Sequence, residues 1–285
     1  MNTLGLHTFA IAPVWDVSLV EPQMGRILAH GVGLFEIPLL RPEEIDIDAT
    51  VAFCRKHDVE VVCSLGLPGS LDVIERPDEA IAFMEPAFRV SQAVGSPSLS
   101  GVTYGTIGRT TGGPPTQREL DGICGFLESA AKEAASYGLK LGIEPCNRYE
   151  THLMNRGSDA AGIIERVGAD NIFIHLDTYH MNIEEESFAA GFAAAAPYLG
   201  YVHVSEANRG VPGRGMIDWA AAMQALVDIG YGGPLTLESM NHVDEDIAGG
   251  LAVWRPVADN PDDVIDAGLP FLRKAAADAG LQLGR

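Results

Sequence analysis

The chain has 285 residues, 47% hydrophobic and 20% charged, which supplies apolar surface for a substantial core and excludes a disordered polypeptide. Nineteen Lys and Arg stand against thirty-nine Asp and Glu, a formal net charge of −20 with no basic cluster to relieve it. Phosphate backbones and anionic lipid surfaces are repelled by such a chain, so no nucleic-acid partner is expected. Cys54, Cys63, Cys124 and Cys146 form no CxxC pair and read as reduced thiols, not as a zinc knuckle or a disulfide frame. The first residues lack a basic segment and are broken by His7, Thr8 and Pro13. No run approaches the roughly eighteen apolar residues of a membrane span, so no membrane association is expected and the cytoplasm is the default location.

Short apolar runs suited to buried strands alternate with segments of helical period, the pattern of βαβ units around a parallel sheet. In chain order the strand-like runs are 4–9, 34–38, 59–64, 98–101, 140–145, 172–177, 201–204 and 234–238, with helix-like stretches at 23–30, 49–57, 118–137, 158–167 and 219–229 among them. Gly31, Gly138, Gly168 and Gly230 follow four of these stretches, the position where a left-handed residue ends a helix. An open doubly wound sheet also alternates strand and helix, but eight units filling this length favour closure into a (β/α)₈ barrel. No linker or change of composition divides the chain, so residues 1–285 are read as a single α/β barrel domain. Residues 241–261, with Trp254 and two prolines, are long for a strand-to-helix loop and predict a cap over a site, a subunit contact or idle surface.

Four residues with metal-binding side chains close four successive strand-like runs: Glu144 in KLGIEP, Asp177 in IFIHLD, His203 in YVHV and Glu238 in PLTLE. Their separations are each about one βα unit, so a barrel brings all four to its C-terminal mouth. An acid after a strand is often a helix N-cap and a strand histidine is often a core residue, and only the fourfold repetition outweighs that plain alternative. Three carboxylates and an imidazole suit one divalent cation such as Mn²⁺, with Co²⁺ or Mg²⁺ as alternatives, in octahedral coordination, and lack the thiolates that structural zinc favours.

Polar loops follow the same strands, in NRYE (147–150), DTYHMN (177–182) and SEANRG (205–210). Glu150, His180 and Arg209 are placed to hold sugar hydroxyls and a carbonyl, a reading preferred over the alternative that Arg148, Glu150 and Arg209 pair with one another as loop charges do. The glycine-rich NRGVPGRG at 208–215 lies where barrels often bind phosphate, but it has no Walker pattern and its glycines can serve turns alone. Glu184, Glu185 and Glu186 read as the solvated start of a helix. Tyr104, in the loop after the fourth run, is read either as stacking on a sugar or as packing. Neither a Gly-x-Ser-x-Gly elbow nor a dinucleotide fingerprint is present, which leaves serine hydrolase and nicotinamide chemistry unsupported.

Taken together, IEPCNRYE, HLDTYHMNIEE, HVSEANRG and YGGPLTLES resemble the signature blocks of the ketose 3-epimerases, the D-tagatose, D-allulose (psicose) and L-ribulose group, which share a xylose isomerase-like barrel. The resemblance extends to LGLHTF, FEIPLL, SLGLPG and a WRP…DN stretch, so it spans nearly the whole chain. It implies a metal held by Glu144, Asp177, His203 and Glu238, and the two glutamates as an acid/base pair that moves the C3 proton of a free ketose through an enediolate. It also implies sugar contacts from Glu150, His180 and Arg209, a pocket lined by Ser64 and Gly66, and a homodimer or homotetramer. Two positions depart from the pattern: Ile11 and Met240 stand where aromatic residues are common, which leaves the preferred sugar open. The rival readings are a hydroxypyruvate- or inosose-type isomerase on the same scaffold, a metal-dependent endonuclease, and a sugar-binding protein without catalysis. The endonuclease would need a basic groove, which a charge of −20 opposes.

Overall fold

Eight parallel strands close on themselves in the computed structural model, which describes residues 1–243 and 248–285. They are β1 (Asn2–His7), β2 (Leu34–Pro38), β3 (Glu60–Ser64), β4 (Ser98–Ser100), β5 (Lys140–Ile143), β6 (Ile172–Asp177), β7 (Leu199–His203) and β8 (Leu235–Leu237). Each pairs with the next, and β1 pairs with both β2 and β8, so the sheet is a barrel. A short β9 (Leu283–Gly284), absent from the sequence reading, adds to the free end of β1 opposite the mouth. The fold is a (β/α)₈ barrel.

Among the described residues the α-helices are α1 (Val17–Val20), α2 (Met24–Ala29), α3 (Ile47–His57), α4 (Pro77–Val94), α5 (Gln117–Ser136), α6 (Gly157–Val167), α7 (Thr178–Glu184), α8 (Phe188–Ala195), α9 (Trp219–Asp228) and α10 (Leu269–Asp278). Their starts are written locally. Asp46, Ser187 and Asp218 accept the N–H of the third residue of α3, α8 and α9, and Thr116 with Glu119 forms a reciprocal capping box on α5. Each such cap contributes about 1 kcal/mol. The four glycines expected after helices all take positive φ, from 67° at Gly230 to 75° at Gly31. Helix α4 carries Pro86 in its interior, which obscures the helical signal because proline removes a donor and crowds the preceding turn.

Strand alternation separates two apolar layers. On β6, Ile172, Ile174 and Leu176 turn outward into the large core beneath the helices, where burying each such side chain contributes roughly 1.5–3 kcal/mol. The intervening Phe173 joins Leu34, Val62 and Tyr201 in a small cluster of its own, as the period of two requires for the barrel interior. That interior is tight. A Cβ on Gly142 would meet the Ser100 hydroxyl at 2.2 Å and the Phe173 ring at 2.6 Å, so only glycine fits beside the phenylalanine. Between β6 and β7 the register slips, from Ile174 opposite Leu199 to His175 opposite Tyr201. Gly200 is thereby left over as a bulge, and β7 begins two residues before the apolar run that the sequence marks.

One sequence expectation is corrected and two open readings are decided. Glu184 is the last residue of α7 and Glu185 follows it, so the acidic run ends one helix instead of starting another; the next helix is capped by Ser187. Tyr104 is fully buried and its hydroxyl donates to the Met154 carbonyl at 3.2 Å, so it packs. Arg148 pairs with Glu184 at 2.9 Å, not with Glu150 or Arg209. Within 241–261, residues 244–247 lie outside the described residues; of the remainder, Gly250 and Leu251 face the barrel mouth and Trp254 is exposed. The four cysteines are free thiols, and among the described residues no helix is long and apolar enough to cross a membrane.

Candidate active site

A cavity of about 460 Å³ opens at the C-terminal ends of the strands, the end at which barrels of this kind carry their chemistry. Among its lining residues are four that end strands, His7 of β1, Glu144 just past β5, His203 of β7 and Glu238 just past β8, and Asp177, the last residue of β6, lies beneath them against His203 and Glu238. All five are buried. The four residues read from the sequence as metal ligands are therefore brought together. Ligand atoms of Asp177, His203 and Glu238 lie within 4.8 Å of one another, and Glu144 stands 3.9 Å from His203 Nδ1.

His203 Nδ1 is the centre of this group. It is buried without a hydrogen-bond partner among the described residues, with Glu238 Oε2 3.5 Å away on the side opposite its Nε2, which meets Glu36 Oε2 at 2.5 Å. An unpartnered imidazole nitrogen surrounded by three carboxylates is costly unless something charged satisfies it. The donor set fits a hard divalent cation, with Glu144, Asp177, His203 and Glu238 as the residues that would hold it.

Burial and neighbours set the two glutamates apart. Burial, reinforced by Glu238 and Asp177, raises the Glu144 carboxyl well above its ordinary range. Burial also opposes ionisation of Glu238, but Arg209 and His203 outweigh it and hold that carboxyl well below its ordinary range. Asp177 is pushed up to about 7, chiefly by burial. His203 moves up because Glu36 and Glu238 outweigh its desolvation.

Arg209 lies over the Tyr179 ring at 4.0 Å, reaches Asp177 at 2.8 Å and bonds Glu238. Its backbone is left-handed, with φ of 60°, a strained state for a side chain of this size. That state is held from outside: the Arg209 carbonyl accepts from the Ser239 hydroxyl at 2.8 Å and the Met240 N–H at 2.9 Å. Glu150 is fixed by the Asn147 side-chain amide at 2.8 Å. His180 Nδ1 accepts the Asn147 backbone N–H at 3.1 Å, and burial and Arg209 keep the ring neutral by lowering its pKa well below the ordinary value. The remaining ring proton is then on Nε2, which lies 3.8 Å from Glu144 and 3.4 Å from the Arg209 guanidinium, itself a donor, so the Nε2–H sits between an acid and a cation at the cavity. Ser64, Gly66 and Met240 line the cavity too, whereas Ile11 packs in the core and is not among the described lining residues.

The glycine-rich loop after β7 is no phosphate cradle. Glu206 occupies its centre, accepting the N–H groups of Ala207, Gly213 and Ile217 and the Trp219 indole N–H at 2.8–3.0 Å. A Cβ on Gly215 would fall 2.3 Å from the same carboxylate, which accounts for the glycine there.

Residues 25–275 match the family model of xylose isomerase-like TIM barrels. The chain is 33% identical to the L-ribulose 3-epimerase of Methylomonas sp. over 95% of its own length and 96% of the relative. It is 30% identical to the ketose 3-epimerase of Arthrobacter globiformis over 90% and 91%. The chain belongs to the ketose 3-epimerase family. As a member it is an isomerase, of the epimerase type. A crystal structure of D-allulose 3-epimerase from Methylomonas sp. in complex with D-allulose superimposes with a TM-score of 0.89 at 32% identity, covering 96% of this chain and 97% of that one.

Several polar residues of this epimerase's barrel escaped the sequence reading. Glu36, His7 and His175 are buried in the barrel interior, and Cys146 lines the cavity. The signal for Glu36, His7 and His175 was the alternation itself: a charged or imidazole side chain at inward positions of FEIP, LGLH and IFIHLD. Without knowing which face of each strand points inward, a single buried acid in an apolar run reads as an exposed one.

Proposed function

We propose that the chain epimerises free ketoses at C3, with Glu144 and Glu238 as the proton-transferring pair and a divalent cation held by Glu144, Asp177, His203 and Glu238. The observation that carries the reading is the placement of the two glutamates: they come from β5 and β8, separated by two strands around the barrel, and flank His203 Nδ1 on the cavity floor. Their environments are driven in opposite directions, which lets one accept a proton while the other offers one. C3 inversion needs that pair, because the proton leaves one face of the carbon and returns to the other. Mn²⁺, or Co²⁺ or Mg²⁺ in its place, would act as a Lewis acid toward the carbonyl and hydroxyl oxygens of the sugar and stabilise the charge that develops on proton removal.

The remaining residues orient and enclose. Arg209 keeps Glu238 ionised, and His180 offers its Nε2–H to a sugar oxygen. Glu150 accepts from a hydroxyl, while Ser64 and Gly66 border the pocket. The names of the relatives support ketoses as the substrate class; the family habit also makes a homodimer or homotetramer the form to expect.

The test is to strip metal with a chelator, restore Mn²⁺ or Co²⁺ in D₂O, and follow D-fructose, D-tagatose, D-allulose and L-ribulose by NMR. Metal-dependent deuterium at C3 together with the C3 epimer is the expected result. Deuterium at C1 with formation of an aldose would instead establish an isomerase, and binding with no exchange would leave a sugar-binding protein.

A further inference from the structure

Beneath the mouth, β2 sends Glu36 into the barrel interior, where it is 1% exposed. It is a costly residue to bury: Oε1 has no hydrogen-bond partner among the described residues, and an incompletely satisfied interior carboxylate is destabilising relative to an apolar side chain of the same size. Stability therefore does not account for it, and its contacts do. Oε2 faces His203 Nε2 at 2.5 Å and the Tyr201 hydroxyl at 2.7 Å. A carboxylate only accepts, so both partners donate to it, and the Tyr201 oxygen, 2.6 Å from Thr236 Oγ1, takes its own hydrogen bond from the threonine. Protons thus run one way, from Thr236 to Tyr201 to Glu36, with His203 donating to the same oxygen. His7 stands on the other side, its Nδ1 accepting the Phe9 N–H at 3.1 Å and its Nε2 3.5 Å from Glu36 Oε1.

We propose that Glu36 is a positioning residue for the cation site: by accepting the Nε2 proton of His203 it fixes the ring so that the Nδ1 lone pair points among Glu144, Asp177 and Glu238. A neutral imidazole has a single ring proton, and whichever nitrogen carries it cannot bind a cation. With Glu36 in place that proton is committed to the side of the ring away from Glu144, Asp177 and Glu238, and the His175 ring packs against His203 edge-to-face at 4.1 Å. Glu36 therefore sets the affinity for the divalent cation without belonging to its ligand set, as carboxylates behind ligating histidines do in general. The inference rests on the cation site proposed above.

The experiment measures Mn²⁺ binding directly, without sugar, by titrating the metal-free full chain and following free Mn²⁺ by EPR. Wild type binds; Glu36→Gln weakens binding by roughly 10–100-fold, read on chain that circular dichroism shows to be folded without metal. A residue that merely supported the fold would leave the affinity of the folded chain at the wild-type level, whatever its effect on the metal-free melting temperature. Tyr201→Phe, which removes one donor to the same oxygen, produces a smaller loss, within about tenfold. Glu36→Gln binding Mn²⁺ within about twofold of wild type would overturn the inference and leave the cation site standing. Should Glu36→Gln not fold, wild-type affinity in Tyr201→Phe overturns it instead. A wild-type chain that binds no Mn²⁺ removes the cation site and this role with it.

Discussion

Glu206 and Glu144 are both buried glutamates just past strands of the same barrel, 0% and 8% exposed, and their surroundings are opposite. Glu206 receives four N–H donors from its own loop and from Trp219; its charge is consumed in ordering the turns between β7 and α9. Glu144 has three imidazoles at 3.7–3.9 Å, none in hydrogen-bond range, and opens on a cavity. The fully satisfied carboxylate is architecture, and the one left with unmet acceptor capacity beside other carboxylates is where a cation and a substrate can act. In sequence the two look alike.

Substitution separates them most sharply. Under the proposed mechanism, Glu144→Gln and Glu238→Gln each lower turnover by at least roughly 1,000-fold, since each would remove a proton-transfer group and a cation ligand together, while the chain stays folded; initial rates with each ketose, beside a thermal melt, check this. Activity near wild type in either variant would break the assignment. Glu206→Ala has the opposite signature, a loss of about 3–5 kcal/mol of stability from four orphaned donors, with C3 exchange persisting in whatever fraction remains folded; urea unfolding reads it, and an unchanged midpoint would show that the loop is ordered by something else.

The pH response follows from the same contrast. A cation needs Asp177 and Glu144 ionised and His203 unprotonated at Nδ1, and all three are raised above their ordinary values in the metal-free chain, Asp177 to about 7. Protons therefore compete with the cation at low pH, and apparent Mn²⁺ affinity rises from roughly pH 5 to 8 with proton release on binding. Calorimetry in buffers of different ionisation enthalpy measures this, and a flat affinity without proton release contradicts it. The smallest effect belongs to the wall: Met240→Phe shifts KM among the ketoses by up to about tenfold and leaves deuterium exchange at C3 in place. Equal KM values in both proteins would mean that Met240 does not contact the sugar.

Much of the barrel was legible because each strand is a short apolar run and each helix a longer periodic one. Glu144, Asp177, His203 and Glu238 could be found because they recur once per βα unit, and spacing alone converts to neighbourhood in a barrel. Glu36 does not recur in that frame: it lies two residues before the end of β2, and its partner His203 is 167 positions away. The bulge at Gly200 was equally hidden, since it depends on how β7 meets β6 and not on β7 itself.

The sequence by itself determined the alternation of strand and helix, the caps and stops of most helices, and which residues end the strands, because these are local matters of period, side-chain donors and glycine. Only the tertiary structure decided that Glu206 is spent within its loop, that Arg209 is held left-handed between Asp177 and Glu238, and that Glu36 stands behind His203. Each of those depends on what closes against it from another strand, and the burial that shifts a carboxylate's proton affinity exists only once the barrel is closed.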